Sequence, residues 1–275
     1  MKKNIFRSGK IIYLAIYLLI MIFPLYWIVI TSLKPQKEIF SFPLKYWPEH
    51  MTLDNYIHIF KISKFHIYIG NSLLVSIVSA LIVLVIATLS AYVMARFTFR
   101  GHKQIMMAFI ATQMLPGFVA LAPLYLMMSS MNLINNRMSL ILMYTVTLIP
   151  FTTIMLRGFF QRIPASLEEA AMIDGCSRWS ALLRIIIPVM LPGIASSFIF
   201  AFVQNWNELF LAVMFIDNDS LKTLPVAMNS FILKFDVDWG AMSAGAVLSI
   251  IPTVLIFAFA QKFIVEGLTQ GAEKG

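Results

Sequence analysis

Apolar and polar positions alternate along this chain on a coarse scale, as long oily runs separated by short polar stretches. Runs of about 20 apolar residues are long enough to cross a hydrocarbon layer as helices. They fall at about 11–33, 71–95, 104–128, 138–160, 183–215 and 244–264, which predicts six spans. Asn71 and Ser72 stand where the second helix could be capped. Pro24, Pro116, Gly117, Pro123 and Pro252 lie inside these runs, where they bend helices and rely on neighbours to satisfy the backbone. The fifth run exceeds one crossing, and its start reads as an interfacial or tilted piece. Residues 34–70 are amphipathic, with Pro35, Pro43 and Pro48, and the stretch from Asp54 to Phe60 reads as a short surface helix or a solvated loop. Residues 129–137 form a tight turn. Residues 216–242 form a polar loop holding Asp217, Asp219, Asp236 and Asp238 with Lys222 and Lys234.

The sharpest polar interruption is 164–192. Pro164 opens it, and Ser166 precedes Glu169 at capping-box spacing. Residues 167–174 then read as a two-turn helix. Gly175 follows where a helix stops through a left-handed residue, and Ser177 can cap the next helix. Leu167, Ala170, Ala171 and Asp174 share one face, and the two alanines permit close approach. Such an element is either a loop helix packed on its neighbours or a docking knob for a cytosolic partner.

Composition sharpens the class. Of 275 residues, 60% are hydrophobic and 12% charged, against about 25% charged in soluble domains. The expected fold class is an all-α integral membrane protein. The net charge of +8 does not imply nucleic acid, because the basic residues sit mostly between apolar runs. Lys2, Lys3, Arg7, Lys10, Arg96, Arg100, Lys103, Arg162, Arg178 and Arg184 gather on one side, and those on the other side are spread over longer loops. The positive-inside rule therefore places both termini in the cytoplasm. The first apolar run is longer than a signal-peptide core and shows no small-x-small cleavage site, so it is expected to stay as a span. The single cysteine excludes an intrachain disulfide and a cysteine-based metal cluster.

Catalytic patterns are missing. There is no G-x-x-x-x-G-K-S/T phosphate loop, no HExxH or Cys/His ligand spacing and no nucleophile elbow. The four histidines are scattered over predicted loops. Neither enzymatic activity nor a metal site is expected of this chain. Of the acidic residues, Glu208 falls clearly within a predicted span, in Gln204-Asn205-Trp206-Asn207-Glu208. A carboxylate there must face protein or water. It belongs either to an interhelical hydrogen-bond cluster or to a polar solute pathway together with Gln113, Asn205, Trp206 and Asn207. Tyr125, Tyr144 and Trp206 could stack on a sugar ring or fill a core.

Glu169-Ala170-Ala171, Asp174-Gly175 and then Ile185, Ile187 and Pro188 resemble the EAA motif of membrane subunits of bacterial ATP-binding-cassette (ABC) importers. Ile187 stands where leucine is usual, and Cys176 where another small residue is common. The run Asn205-Trp206-Asn207-Glu208 resembles the carbohydrate, maltose-type branch. So does the tail from Lys262 to Gly275, apart from Glu273. The resemblance covers essentially the whole chain, as a single permease domain over 1–275. It implies a type I importer permease fold in the bacterial cytoplasmic membrane, with a cytoplasmic coupling helix at about 167–174. Glu169, Ala170, Ala171, Asp174, Gly175 and Pro188 would couple it to the ATPase. The implied partners are a second homologous permease, two cytosolic ATPase subunits, an extracytoplasmic solute-binding protein and membrane lipid. No cofactor is implied in this chain, since ATP and Mg would be bound by the ATPase subunits. The alternatives are a secondary transporter or channel, which would want ion-coupling carboxylates near the midplane, a permease for amino acids, peptides or glycerol-phosphate, or a membrane-embedded enzyme.

Overall fold

A backbone removed from water must satisfy its own hydrogen bonds, and a helix does this within one segment. The computed structural model describes residues 2–61, 64–115, 117–232 and 237–272, with the side chains of 2–8, 118, 260 and 262–272 left out. In chain order the α-helices are α1 (Lys2–Ser32), α2 (Gln36–Ile39), α3 (Asp54–Lys61), α4 (Phe65–Arg96), α5 (His102–Met114), α6 (Leu121–Ser130) and α7 (Arg137–Arg162). There follow α8 (Ser166–Ile173), α9 (Arg178–Ala181), α10 (Ile187–Val189), α11 (Leu191–Trp206), α12 (Phe210–Phe215), α13 (Leu224–Asn229) and α14 (Trp239–Ala272). The short helix expected after Asp54 is α3. Among the described residues, the β-structure is an isolated bridge between Ile232 and Val237.

Among the described residues, four segments are single helices long and apolar enough to cross a membrane: Gly9–Ser32, Phe65–Arg96, Arg137–Arg162 and Trp239–Phe259. A fifth is a bent pair, Arg178–Val189 with Leu191–Trp206, meeting at 75°. The range 104–128 is not one helix. α5 ends at Met114, the next residue Leu115 is extended (φ −77°, ψ 126°), and a 3-10 turn at Gly117–Ala120 leads into α6. A residue before proline is pushed out of the α region, so Leu115 ends the helix; Pro116 itself lies outside the described residues. The range 183–215 is likewise subdivided. Leu182–Ile186 is a π-helical turn, Pro188 and Pro192 lack N–H groups, and the chain bends at Met190.

Contacts group the chain into two compact units, each described by itself. The larger comprises residues 67–226 and 253–275. Among its described residues, two apolar cores stand out. One gathers Val75 of α4, Leu140 and Tyr144 of α7, and Leu211 and Phe215 of α12. The other gathers Ala87, Ala91 and Tyr92 of α4, Leu156 and Phe160 of α7, and Leu182, Ile186 and Met190. α4 and α7 thus run in the same direction from the first core to the second, and α11 returns. Asn71 and Ser72 do not cap α4, which begins at Phe65. Their side chains instead hold a loop far along the chain. Asn71 Nδ2 donates to the Ser220 and Lys222 carbonyls (3.0 and 2.9 Å), and Ser72 Oγ accepts from Leu224 N (2.7 Å).

The smaller unit comprises residues 1–66 and 227–252. Its organising side chain is Asn55, whose Nδ2 donates to the free carbonyls of Ser32 and Lys34 at the end of α1 (both 2.9 Å). Gly240 opens α14 against this amide. A Cβ built there would lie 2.4 Å from Asn55 Oδ1, so glycine is needed for the close approach.

Candidate coupling and translocation sites

Helix α8 is short, and its ends explain why it holds. Ala165 is already helical (φ −63°, ψ −27°), so Ser166 is the first helical residue and has no capping hydrogen bond. The expected capping box with Glu169 is therefore absent, because a cap must sit outside the helix in extended geometry. The other end matches expectation. Gly175 is left-handed (φ +87°). Gly175 N donates to Met172 O (3.1 Å) and Cys176 N to Ala171 O (3.0 Å). That pair of bonds is a Schellman closure. Ser177 Oγ then accepts from Ser180 N (3.2 Å) and starts α9.

The faces of α8 divide differently from the expectation. Glu168 and Ala171 are buried, whereas Leu167, Glu169, Ala170, Ile173 and Asp174 are exposed, Ile173 to 86%. Of the four residues expected to share a packing face, Ala171 alone points inward. The inward face is set by Glu168, whose charge must be matched. Arg96 Nε donates to Glu168 Oε1 at 2.6 Å, and both side chains are about nine-tenths covered. Arg96 Nη2 donates to Ile163 O (2.9 Å), and the Tyr92 hydroxyl donates to Glu168 Oε2 (3.1 Å). The motif in the sequence points to Glu169, whereas the buried contacts are made by Glu168, Arg96 and Tyr92. The available signal was two adjacent glutamates on a two-turn helix, which cannot share one face, and an arginine ending an apolar run. Pro188 is exposed within α10.

The second grouping lies where α11 gives way to α12. Glu208 sits in the break and not in a continuous span. Its Oε1 accepts from Leu211 N (2.9 Å), and its Oε2 from Ala212 N (3.2 Å) and the Tyr144 hydroxyl (2.9 Å). A carboxylate at the start of α12 satisfies amides that have no intrahelical partner. Trp206 is buried and stacked on Phe202 (ring centroids 5.6 Å), so its ring is committed to packing. Asn205 is buried beside it, and its Nδ2 has no hydrogen-bond partner among the described residues. Asn207 is exposed and donates to Val203 O (2.8 Å); Gln113 is exposed on α5, and Tyr125 on α6. Tyr144 is buried in the first core.

In the loop after α12, Asn135 Oδ1 accepts from Asp217 N (2.7 Å) and Asn218 N (2.9 Å). Lys222 pairs with Asp219, and that hydrogen bond raises the ammonium pKa above its ordinary value. Lys234 and Asp236 lie outside the described residues. α14 continues to Ala272, through most of the resembled tail; the side chains of 262–272, and residues 273–275 altogether, are outside the described set. Among the described residues, no three His, Cys, Asp or Glu side chains are grouped to hold a metal.

A chain of a bacterial ABC transporter involved in the import of the acidic polysaccharide alginate shares this fold, with a TM-score of 0.82 over 95% of this chain and 97% of that one, at 21% identity. The fold is thus the type I importer permease fold. The family of binding-protein-dependent transport system inner membrane components matches residues 84–270. The sulfoquinovosyl glycerol transport permease SmoH of Agrobacterium fabrum is 38% identical over 98% of this chain and 96% of its own length. The diacetylchitobiose uptake permease DasC of Streptomyces coelicolor is 34% identical over the full length of both chains. The trehalose/maltose permease MalG of Thermococcus litoralis is 29% identical, again end to end. This chain belongs to the family of binding-protein-dependent transport system inner membrane components.

Proposed function

We propose that the chain is one of two membrane subunits of an ATP-driven importer for a sugar or oligosaccharide. The solute is delivered by an extracytoplasmic binding protein, and ATP with Mg is bound and hydrolysed by two separate cytosolic subunits. The single permease domain crosses the bacterial cytoplasmic membrane six times, with α5 and α6 together making one broken crossing and both termini in the cytoplasm. The observation that carries this reading is α8, a rigidly closed two-turn helix whose Glu169, Ala170, Ile173 and Asp174 stand exposed. An exposed isoleucine flanked by carboxylates suits a cleft on a soluble partner. Gly175 permits the turn that presents it, and Pro188 belongs to the bent segment behind it. The sugar class rests on the relatives, whose names give sulfoquinovosyl glycerol, diacetylchitobiose and trehalose/maltose as cargo.

The polar groups at the α11–α12 break, with Gln113, are the proposed lining of the solute pathway. Asn207 and Gln113 are its solute-facing members; Glu208, Asn205 and Trp206 hold the break in shape. The loop after α12 meets the binding protein. A secondary transporter would need Glu208 free to exchange a coupling ion, yet its carboxylate accepts three hydrogen bonds.

Extracting the assembled complex and measuring which sugars, with their binding protein, raise ATP turnover tests the whole reading. Stimulation by one sugar class is expected. Solute uptake into vesicles by this polypeptide alone, driven by an ion gradient, would refute it.

A further inference from the structure

Arg96, the last residue of α4, and Phe97 just after it hold the segment around α8 at two points, one on α8 and one at the start of α9. Arg96 holds the first turn of α8 through Glu168 at 2.6 Å and the chain just before it through Ile163 O at 2.9 Å. Phe97 lies under the guanidinium of Arg178, with 4.9 Å from that carbon to the ring centroid, just beyond the Schellman turn that ends α8. Tyr92, one turn back on α4, adds a hydrogen bond to Glu168 and packs on Phe97 and Phe160 with ring centroids at 5.9 and 5.7 Å. α4 is about seventy residues away in sequence, so these contacts are a mechanical link the chain's own connectivity does not supply. The covalent routes out of α8 pass through turns at 163–165 and 174–177. The link through Arg96 is covered from water, and a covered, charge-assisted pair resists displacement better than an exposed one.

We propose that Arg96 and Phe97 form a two-point yoke that makes α8 and the end of α4 move as one body. Displacement of α8 by a nucleotide-driven partner then swings α4. The inference rests on the docking role of α8 given above. Arg96, Phe97 and Glu168 are positioning residues and touch no solute.

The test uses the assembled importer in lipid nanodiscs, with Cys176→Ala as background and a non-hydrolysable ATP analogue as probe. Spin labels at the exposed Val85 of α4 and Val213 of α12 report the movement of α4 against the far core. A cysteine at Ile173, cross-linked to the ATPase subunit, reports docking separately. The analogue shifts the label distance in the parent. The double variant Glu168→Gln with Phe97→Leu, which removes the charge and the ring but leaves a polar and an apolar side chain in their places, loses that shift while the Ile173 cross-link persists. Phe97→Tyr alone, which keeps the ring, retains most of the shift. Cysteines at 96 and 168, joined by a short bifunctional thiol reagent, restore it without the ion pair, which a contribution to folding alone would not achieve. A shift that survives in the double variant with docking intact overturns the yoke and leaves the docking role standing. Absence of the shift in the parent, or failure of the bridged cysteines to restore it, also overturns the yoke. Failure of the Ile173 cross-link in the parent removes the docking role, and the yoke falls with it.

Discussion

Substitution at Gly175 isolates the backbone contribution to α8. A Cβ at this position would meet nothing within 4 Å, so its addition causes no clash. The penalty comes from φ +87° alone. A non-glycine residue in the left-handed region costs about 1–2 kcal/mol, Asn less because its side chain bonds locally, and a β-branched residue the most. The order is therefore Asn at a few tenths, Ala at about 1 and Val at about 2 kcal/mol. The two Schellman bonds closing α8 contribute about 1 kcal/mol each, so Val cancels them and Asn leaves them nearly intact. Hydrogen exchange of a peptide covering 172–178 in the assembled importer reads this directly. Amide exchange should quicken about fivefold for Gly175→Ala and about thirtyfold for Gly175→Val. Binding-protein stimulation of ATP turnover should fall in the same order, with the protein still inserted in the membrane. If Gly175→Asn were as damaging as Gly175→Val, side-chain size would be at fault. If Gly175→Val behaved as the parent, the turn would not matter. Either result refutes the reasoning.

Other positions give independent checks. Gly240→Ala drives a Cβ into the Asn55 amide and should destabilise the protein by about 1–3 kcal/mol, seen as lower thermal stability in detergent. Glu208→Gln removes an acceptor from the α12 amides and should cost about 1–3 kcal/mol, lowering thermal stability without making uptake depend on an ion gradient; a new or lost ion dependence would contradict its structural role. Asn71→Ala releases the Ser220 and Lys222 carbonyls, and exchange across 219–224 should rise. Pairing with Asp219 raises the Lys222 pKa. Its stabilising effect is therefore complete below the ordinary lysine range and lost only as pH climbs through the raised value. Protection of that loop should stay level between about pH 6 and 9.

The existence of long apolar helices was legible in the sequence, because hydropathy and run length act locally and water's exclusion leaves a helix little alternative. The stop at Gly175 and the cap at Ser177 were legible for the same reason, since each acts within one turn. Where local signals compete with distant contacts, the pattern failed. Ser166 looked like a cap but lies inside α8, and Asn71 looked like a cap but anchors a loop about 150 residues away. The inward face of α8 depended on Arg96, which no window around Glu168 contains. The partner that Glu208 finds at its break, Tyr144, comes from another helix. Periodicity and turn chemistry are short-range and can be read from the sequence alone. Which of two adjacent glutamates is buried is decided by where folding brings a matching cation, and only the tertiary structure holds that.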